Sequence, residues 1–168
     1  QIAEALSMRT KYRAKLEADR AWAGPAFEAL ESRLLMSGNA LIITDTALAG
    51  AFQNVADWYT RKGYAAEVVA TSNIYASYSG RDQQEKIRNC IRDYHENRGV
   101  EYVLLGGDDT IVPDRDTYVT VGSYIERNMP TDLYYSALEG TWDSDGDGVF
   151  GEAVQDTDVD LTYDVIVA

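Results

Sequence analysis

One cysteine, Cys90, and one histidine, His95, are all that the 168 residues contain of either type. A lone thiol excludes an internal disulfide, so core packing and bound metal are left to hold the fold, and one thiol does not name a compartment. Long apolar runs are missing too: none approaches the roughly 18 residues needed to cross a bilayer. Basic residues nearly vanish from the last third. Residues 101–168 hold 2 Lys/Arg against 16 Asp/Glu, a net of -14, whereas residues 1–100 hold 13 against 12, a net of +1. The total of -13 is repelled by phosphate backbones, which argues against nucleic acid as a partner.

With 45% hydrophobic residues, the chain can build one good core and is short for two. "AEALSMRTKYRAKLEADR", residues 3–20, contains no Gly or Pro and favours a helix. A shorter helical pattern follows, and residues 1–38 read as an appendage to what comes next. From residue 40 strands and helices alternate. "ALIIT" is a buried strand of the parallel-sheet kind, and "DTALAGAFQNVADWYTRKG" is a helix with Asp45 or Thr46 near its N-cap and Gly63 at its end. "YAAEVVAT" is a second strand, "SNIYASYSG" a loop, and "RDQQEKIRNCIRDYHENRG" a helix with Ile87, Cys90, Ile91 and Tyr94 at helical spacing. "VEYVLLGG" completes a doubly wound α/β unit over residues 40–107. "TYVTVGSYI", "TDLYYSAL" and "YDVIVA" read as further strands, and the tyrosines, including Tyr134 and Tyr135, as packing for sheet edges. Ala168 follows directly on an apolar run, and a buried strand is a poor natural end, so the sequence reads as a piece of a longer protein.

The most specific pattern is "WDSDGDGVFGE", residues 142–152. Three carboxylates within five residues repel one another unless a counter-charge sits among them. Asp143, Asp145 and Asp147 fall at positions 1, 3 and 5 of a calcium loop, Gly148 at the sharp turn of position 6, and the Val149 carbonyl at position 7. An EF-hand would place Glu at position 12; here that position is Val154, while Glu152 lies at position 10 and no second helix follows. The pattern is therefore a calcium-type loop outside an EF-hand pair, its shell closed by Glu152 or by one of Asp156, Asp158 and Asp160. Several carboxylates on a flexible Gly backbone suit Ca2+ better than Mg2+. Zinc is disfavoured because neither His nor Cys lies nearby.

Two other features invite chemistry and are better read as structure. Cys90 and His95 lie five apart on one helix, which turns their side chains away from each other, so they do not form a dyad. Cys90 belongs to the apolar stripe and His95 to the surface. "LLGGDDTIVPDRD" ends a parallel strand with two glycines, where α/β proteins put ligand sites, but it lacks the GxGxxG order and any P-loop Lys. Asp108 and Asp109 read as turn formers, and no nucleotide site is expected.

In order along the chain, "ALIITDTALAGAFQNVADWYTRKGYAAEVVATSNIY", "IRNCIRDYHENRGVEYVLLGGDDTIVP", "PTDLYYSALEGTWDSDGDGVFGE" and "VDLTYDVIVA" resemble the amino-terminal half of the gingipain-type cysteine peptidase domain over residues 39–168. The resemblance implies a caspase-like three-layer α/β/α fold with a mostly parallel sheet, of which this chain carries the amino-terminal part. It also implies an exported bacterial protein, found outside the cell or at its surface, that cleaves protein or peptide substrates through a Cys nucleophile and a His base, with calcium as a stabilising ion. In that family a Gly-His-Gly motif and the reactive Cys follow in a carboxy-terminal catalytic subdomain. Neither Cys90 nor His95 matches those positions, so no catalytic residue is assigned. "FEALESRLLMSG", residues 27–38, resembles the LEPR-XLL motif of large exported bacterial proteins, with Ser32 in place of its Pro, and marks residues 1–38 as a targeting-like segment. The first residue is Gln1 and not Met, which is compatible with a signal peptide upstream.

The expected function is thus the scaffold half of a secreted gingipain-like endopeptidase. Its rival is a non-catalytic, calcium-stabilised α/β module of a large surface protein.

Overall fold

The computed structural model describes residues 39–152 and 154–168. The helix expected over 3–20 and the export-like motif at 27–38 lie outside the described residues. β1 (Asn39–Thr44) is the apolar run read from the sequence, and it is buried from Ala40 to Thr44. Such a run has no polar face to offer water, and it takes an interior place with parallel neighbours on both sides. β2 (Ala66–Ala70) pairs on one side and β3 (Val100–Gly106) on the other; β6 (Ile166–Val167) joins β3 at the edge. The order β2-β1-β3-β6 is parallel throughout.

Helices flank this sheet. α1 (Ala49–Arg61) packs on β1 and β2 and is entered through Asp45, whose Oδ1 accepts the Leu48 N–H at 2.7 Å. α3 (Gln83–Arg98) is stopped at each end by the residue type its backbone requires. Asp82 caps it by accepting the Glu85 N–H at 2.8 Å, and Gly99 ends it in the left-handed region at φ 64°. Ile87, Cys90, Ile91 and Tyr94 share its buried stripe, as their spacing predicts, and pack with Leu41, Ile43 and Val103 of the sheet.

Four expectations need correction. "SNIYASYSG" is not all loop: α2 (Thr71–Ser77) follows β2 without a turn and buries Ile74 completely. "TYVTVGSYI" is not one strand but the tip of a hairpin, β4 (Arg115–Val121) and β5 (Tyr124–Thr131), turned by Gly122 at φ 63° and Ser123. "TDLYYSAL" is not a strand: it forms the single helical turn α4 (Leu133–Ser136). A strand would send Tyr134 and Tyr135 to opposite faces, whereas the turn buries both completely; these are core residues and not edge packing. Among the described residues, no helix is long and apolar enough to cross a membrane.

Candidate metal centre

The acidic loop hangs from the core between two aromatic side chains. Trp142 and Phe150, 3% and 9% exposed, set their rings edge-on to Tyr134, with centroids 5.8 and 6.0 Å away. The Gly151 N–H donates to the Trp142 carbonyl at 2.8 Å and closes the loop at its base. Gly146 and Gly148 both take the left-handed backbone, at φ 77° and 86°, which lets the chain reverse between aspartates.

That reversal brings one carboxylate oxygen of each of Asp143, Asp145 and Asp147 within 4.8 Å of the others. Asp143 is buried and the other two are exposed. Backbone amides order the carboxylates: Gly148 N–H donates to Asp143 Oδ1, Asp147 N–H to Asp145 Oδ1, and Val149 N–H to Asp147 Oδ1. Glu152 is 7% exposed, and among the described residues its carboxylate accepts no hydrogen bond. Burial, followed by the charges of Asp147, Asp145 and Asp156, pushes its pKa above the ordinary glutamate range. The Glu152 carboxylate is not among the three that converge within 4.8 Å, and it is the charge of the converging aspartates that fits a hard cation with oxygen ligands. Asp143, Asp145, Asp147, the Val149 carbonyl and Glu152 would hold it.

The other acids named as closing ligands are bonded to donors of the chain by one oxygen or both. Asp156 accepts the Ser144 and Glu152 N–H groups with its two oxygens, at 2.8 and 2.9 Å. Asp158 Oδ2 accepts both the N–H and the hydroxyl of Thr141, and Asp160 Oδ1 accepts the same pair from Thr162, while Asp158 Oδ1 and Asp160 Oδ2 are buried without a partner among the described residues.

α3 and the residues before it supply partners that no local pattern announces. Arg81 Nη1 donates to Asp143 Oδ2, and its Nε donates to Glu85 at 3.2 Å. Arg88, 3% exposed, donates to the carbonyls of Ala137, Glu139 and Gly140, fixing the approach to the loop. Arg115 pairs with Asp82 at 2.7 Å and lies over the Phe150 ring, 3.8 Å from its centroid. The signal for Arg81 and Arg88 in the sequence is only a basic residue on a helix flank, so sequence reasoning missed both.

Cys90 and His95 make no contact chemistry with each other. Cys90 is fully buried, and burial pushes its thiol up to about 12, the wrong direction for a nucleophile. His95 Nδ1 is bonded to the Val100 carbonyl at 2.8 Å, and the residue is half-buried at the surface. At the carboxyl end of β3, a Cβ on Gly106 would lie 2.7 Å from the Phe52 ring, and one on Gly107 would lie 2.7 Å from Ile111. The close approach that these glycines permit is therefore made by the protein itself. Asp108 Oδ1 accepts the Thr110 N–H and hydroxyl in a local turn, as expected, while Asp109 lines an open cavity of about 310 Å³ together with Asp108, Asp114 and Asp132.

A mostly parallel four-stranded sheet flanked by helices makes this an α/β domain of the caspase-like kind. No curated protein and no solved structure matches the chain significantly. The sequence profile of Peptidase family C25 does match, over residues 34–168, and the chain belongs to that family, the gingipains. Membership makes it part of a cysteine peptidase and makes proteins its substrate class.

Proposed function

We propose that this chain is the scaffold part of a secreted gingipain-like cysteine endopeptidase, stabilised by Ca2+ in the 143–152 loop, with its thiolate and its general base contributed by chain outside these residues. The family match over residues 34–168 carries the reading. It is supported by what Cys90 and His95 are doing: one is sealed in the core with a raised pKa, and the other is bonded to a backbone carbonyl. Acyl transfer needs an accessible thiolate beside a base and donors for the oxyanion, and these two residues offer neither. Export to an extracellular, bacterial setting fits the reading, because millimolar free calcium fills even weak extracellular loops, whose dissociation constants run to about 10⁻⁴–10⁻³ M.

The test uses the whole polypeptide to which this chain belongs. C90S and H95A are expected to leave peptide hydrolysis, and labelling by a thiol-directed peptidyl electrophile, within about twofold of the parent, a change of less than about 0.5 kcal/mol in barrier height. Loss of labelling in C90S would overturn the reading. A whole polypeptide with no hydrolysis and no labelled thiol would establish the rival, a calcium-stabilised module without catalysis.

A further inference from the structure

Asp143 is the one aspartate of the loop that is out of water: its side chain is fully buried, while Asp145 and Asp147 are exposed. A buried carboxylate needs a partner charge or hydrogen-bond donors in every state of the protein, with or without a bound ion. Arg81 supplies that charge. Its guanidinium reaches Asp143 Oδ2 from the residue before the α3 cap, is held from behind by Glu85, and stacks on Phe150 with 5.1 Å from its central carbon to the ring centroid. Gly148 N–H meets the other oxygen, Oδ1, at 3.3 Å. The carboxylate is thus oriented from both sides, and Oδ1, with one donor, keeps acceptor capacity.

We infer that Arg81 is a built-in counter-cation of the acidic loop: it neutralises Asp143 when calcium is absent and opposes the dication when calcium arrives, so it sets the calcium affinity of the site. The inference rests on the calcium reading given above, in which the donor set of Asp143, Asp145 and Asp147 consists of hard oxygens gathered in one loop. Two effects of Arg81 pull in opposite directions. Its hydrogen bond positions a ligand, which favours the ion; its charge repels the ion. The charge is the larger effect, because the Gly148 N–H still orients the Asp143 carboxylate when Arg81 is replaced.

Calcium binding to the wild-type chain, R81Q and R81K, read by titration calorimetry and by thermal unfolding in calcium or chelator, tests this. Arg81 has 45% of its side chain exposed, so the variants keep the core intact. R81Q is expected to unfold at lower temperature in chelator, to gain more from calcium, and to bind it several-fold tighter, because a unit positive charge beside the dication is removed. R81K is expected to bind as the wild type does. Raising salt to about 0.5 M is expected to shrink the gap between R81Q and wild type, since screening acts on the charge and not on the hydrogen bond. Equal or weaker calcium binding in R81Q overturns the counter-cation role and leaves the calcium site standing. Tighter binding in R81K overturns the charge account. Absence of calcium binding in the wild type overturns the site itself and this inference with it.

Discussion

Two glycines near the loop show how differently one residue type can be required. Gly148 sits at φ 86° with nothing within 4 Å of where a Cβ would stand, so G148A meets only backbone strain and is expected to cost about 1–2 kcal/mol. At Gly140 a Cβ would run directly into the Asp158 carbonyl oxygen, backbone against backbone, so G140A is expected to cost more than twice as much and to loosen the loop approach. Urea unfolding of the two variants ranks them, and equal losses would contradict the steric argument. Tyr134 is buried with a hydroxyl that has no partner among the described residues, its ring near the guanidiniums of Arg88 and Arg115, each 4.6 Å from the centroid. Y134F is therefore expected to be neutral or stabilising by up to about 1 kcal/mol, whereas Y134A removes a core ring and is expected to cost about 3–5 kcal/mol. For the proposed ion, D145A is expected to abolish most of the rise in melting temperature that calcium confers and chelator removes, a rise worth about 2.7 kcal/mol at an ion concentration one hundred times the dissociation constant. The alternating aspartates were legible from sequence because ligand spacing within one loop is local. Arg81 was not, because its pairing with Asp143 spans 62 positions and depends on where α3 begins in space.

α3 is the element that ties the sheet to the loop, and its amino terminus is the joint. Burial alone would raise the Asp82 pKa, but the Arg115 hydrogen bond, the Glu85 N–H and the charges of Arg115 and Arg81 outweigh it and hold the carboxyl below the usual range. A depressed pKa means stability that is present above the ordinary aspartate range and is lost as acid takes the pH down through the folded value. D82N keeps a capping oxygen but loses the charge. Its stability deficit relative to wild type is expected to be full at neutral pH and to fade below about pH 4, as followed by denaturant unfolding across pH. A deficit independent of pH would mean that Asp82 acts by capping alone. α3 itself was readable from its period and caps, and β1 from its unbroken apolar run. α4 was not, because four residues are too few to show a period, and "TDLYYSAL" has the aromatic content of a strand. The hairpin was half visible: its residues were read as extended, but Gly122 and Ser123 were not read as its turn.

Across the described residues, charge is unevenly spread over the fold. β1, β2 and the helices α1 to α3 form in the part of the sequence that is nearly neutral, and the net -14 of residues 101–168 falls on β3 and the turn after it, the hairpin, and the acidic segment from Glu139 to Asp164. Self-repulsion there is a cost that any salt relieves, so sodium chloride is expected to raise the melting temperature modestly. Calcium at equal ionic strength is expected to raise it further if the loop binds the ion specifically; equal gains from both salts would reduce the effect to screening. The alternation of strand and helix made the α/β class legible at this scale. The side-chain partners of the acidic third were not, since carboxylates with similar neighbours in sequence serve as ligand candidates, amide acceptors or hairpin-side charges according to distant contacts.

The indole of Trp142 is covalently next to Asp143, sealed from water, and held against a phenol; Trp58, by contrast, is half exposed on α1. The protein thus carries its own optical gauge. Any tightening at the first carboxylate is transmitted through one peptide unit to a chromophore whose emission depends on how firmly it is enclosed, so with Trp22 and Trp58 replaced by Phe the fluorescence colour and quenching of the remaining ring would follow the proposed ion without an added dye.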